Sequence, residues 1–284
     1  MFAELHCHSY YSKALTVKVE GLNSPEELVK RASAVGLNVL ALTDHDEIRG
    51  VKEALKAGKK YGVTVIPGEE IKTLGINRKM RGHVIALGIQ ERIKPDLTVE
   101  ETLDKIREQG GISIAAHPFD ISRRGIGFKS DLCDAIEVFN ALNIERLVNR
   151  HAKEFAKKRG RPMVAGTDAH SIEMMGYTKT IIHAENDIDA ILKAIKNGKT
   201  ELVCNYVPTE IILDWAIKRL QGSYDSVQKY IRENYFFPKN VIALQMLKLV
   251  NRSPGRIDYL FRIIGRVGIA GATSYSALRM MFGL

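Results

Sequence analysis

Six of the eight histidines in this chain, His6, His8, His45, His83, His117 and His170, stand at one end of a short apolar run. Glu69 and Asp168 take the same kind of position, after Val65-Ile66-Pro67-Gly68 and at the close of the run 163–167. Imidazole and carboxylate are the ligand set of Zn, Mn and Fe. A fold that carries this sequence must therefore bring many strand ends together. Any one of these histidines alone reads as a strand-end residue with a local hydrogen bond. Six of them with two acids point to a cluster of metal ions and to hydrolytic chemistry. His6 and His8, two apart on a strand, project from one face, as do Asp168 and His170. Cys7 between the first pair should point away. His151, on a predicted helix, and His183, after a late strand, read as surface or structural residues.

Residues 3–8, 39–44, 63–69, 83–87, 112–117, 135–139 and 163–167 are short, apolar and bounded by Gly, Pro or polar residues, which predicts buried strands. Helices with clear start signals lie between them. Ser24-Pro25-Glu26-Glu27 supplies an N-cap, a first-turn proline and a capping-box acid, and Gly36 can end that helix. Thr98-Val99-Glu100-Glu101 repeats the device and ends at Gly110-Gly111. Residues 143–160 and 187–198 fit the same scheme, with late strands expected at 178–182 and 201–204. Repeated β-α units imply a parallel sheet. Ligands from so many strands converge only if that sheet curls round them, which favours a barrel over an open doubly wound sheet.

After residue 204 the strand runs stop, and 208–221, 223–234, 238–251 and 257–284 read as helices. The expected division is a barrel over residues 1–204 and a basic, mainly helical C-terminal module over 205–284. The net charge is +9, and the last 80 residues carry eleven Lys/Arg against five Asp/Glu. A solvated basic face or an anionic partner explains that excess. No transmembrane span is expected, because Arg266, Arg279 and several glycines interrupt 263–284 and a span needs about 20 apolar residues. Three widely spaced cysteines and no basic leader suggest a reducing, cytoplasmic setting without a disulfide framework.

His6-Cys7-His8, Thr43-Asp44-His45-Asp46, Pro67-Gly68-Glu69, Ala116-His117-Pro118 and Gly166-Thr167-Asp168-Ala169-His170 resemble, in order, the motifs of the PHP (polymerase and histidinol phosphatase) family. The resemblance covers about residues 1–204. It implies a distorted (β/α)7 TIM-like barrel, two or three Zn, Mn or Fe ions at its mouth, and phosphoester hydrolysis by hydroxide attack on phosphorus. By position, it implies that His6, His8, Glu69 and Asp168 hold one ion and Glu69, His83 and His117 a second. His45 and His170 would contribute to a third.

Many members of the family follow the second His with an Asp for the third ion, and Lys13 stands at the expected place here. A two-ion site is then expected, with Lys13 replacing the third charge or contacting a substrate phosphate. Arg123 and Arg124, after His117-Pro118-Phe119, are the preferred phosphate clamp, with Arg78, Lys79 and Arg81 as further candidates. Asp44 and Asp46 are expected to orient ligating imidazoles. His45, His170 and Asp168 are the candidate catalytic groups, either histidine being able to protonate a leaving alkoxide. The expected substrate is a phosphomonoester, a nucleotide or a short oligonucleotide. The competing expectation is a metal-binding scaffold or nucleic-acid-binding protein with a degenerate, inactive site.

Overall fold

The computed structural model describes residues 1–13, 17–74, 81–120, 125–254 and 258–282. Its strands are β1 (Phe2–Cys7), β2 (Val39–Leu42), β3 (Thr64–Leu74), β4 (Arg81–Leu87), β5 (Leu97–Thr98), β6 (Ile112–Ala115), β7 (Ala135–Asn140), β8 (Met163–Gly166), β9 (Lys179–Ile182) and β10 (Thr200–Val203). They form one sheet in the order β10-β9-β1-β2-β3-β4-β6-β7-β8, with β5 beside β3. The run from β1 to β8 closes on itself. Beyond β8, Ala169 bridges Cys7 in the parallel sense, and the His8 N–H donates to the Ala169 carbonyl at 2.8 Å. The result is a distorted TIM-like α/β barrel, to which β9 and β10 are added antiparallel beside β1.

Within the run from β1 to β8, one strand departs from the parallel sheet expected from the sequence: β4 is antiparallel to both β3 and β6. Six residues separate β3 from β4, and a parallel pair needs a crossover of a dozen or more. The reversal explains a feature of the histidine pattern. His83 opens its strand while the other histidines close theirs, because a strand running the other way starts at the mouth.

The helices are α1 (Pro25–Ala34), α2 (Val51–Tyr61), α3 (Val99–Glu108), α4 (Arg146–Arg159) and α5 (Ile188–Lys196), followed by α6 (Thr209–Gly222), α7 (Tyr224–Asn234), α8 (Lys239–Asn251) and α9 (Asp258–Phe282). Ser24 and Thr98 each accept from the backbone N–H three residues on, and Glu27 and Glu101 reach back to the cap, so both capping boxes form. Leu28, Val29 and Ala32 of α1 pack with Leu40, Leu42 and Val65 on the outside of the sheet. Leu103 and Ile106 of α3 do the same against Ile71, Val84 and Ile136.

The barrel interior is filled by Ala3, Leu5, Val39, Ala41, Ile66, Ile85, Leu87, Ile112, Ile114 and Val164. Ile191, Leu192 and Ile195 of α5 cover it at the end away from the histidines. That packing leaves the opposite mouth to polar side chains. Among the described residues, no helix is long and apolar enough to cross a membrane.

Candidate metal centre

Side-chain alternation along β3 decides what stands at the centre of the mouth. Ile66 belongs to the interior cluster and Ile71 to the outer one, so the even positions face inward and Glu70, not Glu69, enters the barrel. The Glu70 carboxylate is fully buried. One oxygen lies 3.3 Å from His6 Nε2, 3.2 Å from His8 Nε2 and 2.9 Å from His45 Nδ1. The other lies 2.9 Å from His83 Nδ1 and 3.1 Å from His117 Nε2. Asp168 Oδ1 adds a second acid, 3.2 Å from His8 Nε2 and 3.5 Å from His6 Nε2. His170 packs its ring on His8, with centroids 4.3 Å apart.

The donor set fits divalent metal ions. His6 Nε2, His8 Nε2, His45 Nδ1 and one Glu70 oxygen are buried and close, yet they form no directed hydrogen bond. Native interiors rarely leave such groups unsatisfied. Ligand atoms lie within 4.8 Å of one another in His6/His8/Glu70, His6/His117/Asp168, His45/Glu70/His83 and His8/His45/His170. Burial alone would disfavour a charged His6, but Asp168, Glu137 and Glu70 outweigh it and hold His6 well above the usual imidazole range. Burial depresses His45 to about 3, aided by the neighbouring His8 and His83 charges. A neutral His45 is the form that ligates.

Several neighbours hold this arrangement. The register of β1 shifts between Glu4 and Cys7, which lets His6 and His8 face the interior that Leu5 also faces, while Cys7 joins the outer cluster. Glu137 of β7 contacts His6 Nδ1 at 2.9 Å and accepts the His117 backbone N–H at 2.7 Å and the Asn140 amide at 3.0 Å. Asn140 also donates to Asp168 Oδ2 at 3.0 Å. Gly166 makes room for them: a Cβ there would come within 2.5 Å of Glu137 Oε1 and 2.6 Å of His6 Cβ. Ser12 Oγ lies 3.2 Å from His8 Nδ1. The carbonyl of Asp168 lies 2.8 Å from His170 Nδ1. Sequence reasoning passed over Glu137 and Asn140, although a charged residue inside the apolar run 135–139 was a visible signal.

Several expectations need correction. Glu69 lies outside the histidine cluster: its carboxylate accepts the Ile93 N–H at 2.8 Å and sits 3.9 Å from Arg92 Nε. Burial raises it to about 8 against the pull of the Ile93 N–H, and among the described residues none of the histidine clusters includes it. Asp44 and Asp46 do not orient imidazoles. Asp44 accepts from the Ser9 N–H and hydroxyl, and Asp46 pairs with Lys72 at 2.9 Å.

The Lys13 ammonium points to Glu47 at 2.9 Å. The acid near His170 is instead Glu20, with an oxygen 3.7 Å from His170 Nε2. Arg123, Arg124, Arg78 and Lys79 lie outside the described residues, and the side chain of Arg81 does too.

The PHP-associated family model matches residues 146–200. The chain is 40% identical over 159 residues to an uncharacterised protein of Methanocaldococcus jannaschii, across 54% of this chain and 89% of that protein. A 5'-3' exoribonuclease of Haemophilus influenzae is 41% identical over 113 residues, across 39% of this chain and 37% of the exoribonuclease. This chain therefore spans little more than a third of that relative. Among solved structures, a two-domain protein of Bacteroides vulgatus containing a predicted PHP-like metal-dependent phosphoesterase is similar, with a TM-score of 0.58 at 20% identity. The match covers 77% of this chain and 69% of that one, and at such identity it shows the fold. With the ordered motifs, the closed barrel and the convergent histidines, these likenesses place the chain in the PHP family.

Proposed function

We propose that the chain is a metal-dependent phosphoesterase acting on a phosphomonoester, a nucleotide or a short oligonucleotide. One observation carries the reading: five imidazoles from four separate segments lie within 3.3 Å of the two oxygens of Glu70. A carboxylate so placed can bridge two cations. His6, His8, Glu70 and Asp168 would hold one, Glu70, His83 and His117 a second, and His45 and His170, with Glu20 nearby, surround a third position. Zn, Mn and Fe all suit these donors. Such ions supply positive charge for the phosphoryl oxygens and lower the pKa of a water.

The chain's own groups do the rest. Glu137 and Asn140 orient His6 and Asp168, which keeps the ligand atoms aimed inward. The carbonyl of Asp168 accepts from His170 Nδ1, which leaves Nε2 to help hold a third ion or, where that position is not filled, to pass a proton to a leaving alkoxide. His45 is less suited to that step, because burial keeps it without the extra proton. Lys72 and Arg92, beside Asp46, add basic groups at the rim, and the charge of +9 suits an anionic substrate. The exoribonuclease relative supports a nucleic-acid end or nucleotide within the proposed range.

The test is phosphate release from aryl phosphate, nucleoside monophosphates and short oligonucleotides by protein stripped of metal and reloaded with Mn or Zn. Turnover that chelation abolishes and metal restores is expected. Full metal occupancy with no release across the panel would instead support a binding scaffold.

A further inference from the structure

Helix α6 reaches the metal centre, and two of its residues are not accounted for by the barrel. Trp215 lies with its ring centroid 4.8 Å from that of His170, and its indole N–H donates to the Glu20 carbonyl at 3.0 Å. One turn later, Arg219 places one amino group 2.7 Å from each oxygen of Glu20. The Arg219 guanidinium carbon sits 5.1 Å from the centre of the Trp215 ring. Residues four apart on a helix share a face, so the indole touches both His170 and Arg219. The Arg219 Nε–H is buried and makes no hydrogen bond among the described residues.

A buried guanidinium donor without an acceptor is costly to maintain. A pin holding α6 to the barrel needs only the amino group that already meets Glu20. Glu20 links Arg219 to the histidine cluster, with one oxygen 2.7 Å from the Arg219 amino group and 3.7 Å from His170 Nε2. A guanidinium stacked on an aromatic ring, with its fork partly free, matches the oxygens of a phosphoryl group.

We propose that Arg219 is a phosphate-binding residue of the metal centre, positioned by Trp215 and Glu20. The C-terminal helices thereby take part in choosing the phosphoester. This inference rests on the phosphoesterase reading and adds to it a residue that no motif of the barrel supplies. Arg219 takes the role assigned from sequence to Arg123, Arg124 and Lys13, and it does so from a helix that begins after the last strand.

Trp215 is the chain's only tryptophan, so its fluorescence reports on this corner without requiring turnover. Full-length, metal-loaded protein is titrated with inorganic phosphate, and Arg219→Lys and Arg219→Gln are compared with the parent chain at matched metal content. The parent is expected to show a saturable change. Arg219→Gln is expected to bind phosphate at least about tenfold more weakly, the scale of one charge-assisted hydrogen bond. Arg219→Lys should fall between, which keeps the test open if the Gln variant folds poorly. With a phosphoester substrate, the loss should appear in KM more than in kcat.

Phosphate affinity unchanged in both variants, with the parent binding and hydrolysing normally, overturns the inference alone. A parent chain that binds no phosphate and releases none from esters overturns the phosphoesterase reading with it.

Discussion

The choice between two adjacent acids organises the centre. Glu69 and Glu70 follow the same Gly68, and strand alternation sends one to a backbone N–H outside the barrel and the other among five imidazoles. Space is set as tightly. Gly166→Ala would push its methyl group against Glu137 and His6. We expect it to cost about 1–3 kcal/mol by overpacking, and to lower metal content measured by elemental analysis.

Away from the mouth, Asp134 is a cleaner electrostatic probe. Burial raises its pKa, but the Ser113 N–H and hydroxyl and the Lys196 ammonium outweigh that and hold it below its ordinary value of 3.8. Its contribution is therefore complete above pH 3.8 and is lost as pH falls through the depressed value. Asp134→Asn should destabilise by about 1–2 kcal/mol at neutral pH. In denaturant titrations its gap from the parent chain should close on acidification below pH 3.8; a gap constant with pH would contradict this.

At the scale of elements, helices were legible wherever a local signal exists. Ser24 with Glu27 and Thr98 with Glu101 form the capping boxes their spacing announces. Ser24→Ala should remove about 1 kcal/mol of stability, read as a lowering of the melting temperature by a few degrees, whereas no change would show that α1 is held by packing alone. Strands were legible as apolar runs and their direction was not, since a six-residue connection forces β4 to run backward.

The histidines and Asp168 were legible because each closes or opens such a run. Glu70 was hidden because the inward face depends on register along all of β3. Glu20 was hidden because it meets Arg219, which is distant in sequence, and a local motif carries no record of that. Arg123 and Arg124 fall outside the described residues.

At the scale of the molecule, barrel closure makes one site from many segments. His6 of β1 and His8 just after it meet Asp168 beyond β8 because the sheet returns on itself at Cys7 and Ala169. Ions bound there must then stabilise the whole fold, since the unfolded chain scatters the ligands. By mass action the gain is about 2.7 kcal/mol at a hundredfold excess over Kd. Chelation should lower the melting temperature, and readdition of Mn or Zn should restore it. Equal melting with and without metal would argue that the ligands do not hold an ion in common.

Metal content after stripping and reloading decides whether Glu70 joins these segments through metal. The parent chain, Glu69→Gln and Glu70→Gln would be compared at matched helicity. At least two ions per chain are expected in the parent and in Glu69→Gln, with Glu70→Gln losing most of its metal. Retention by Glu70→Gln, with loss in Glu69→Gln, would contradict the account.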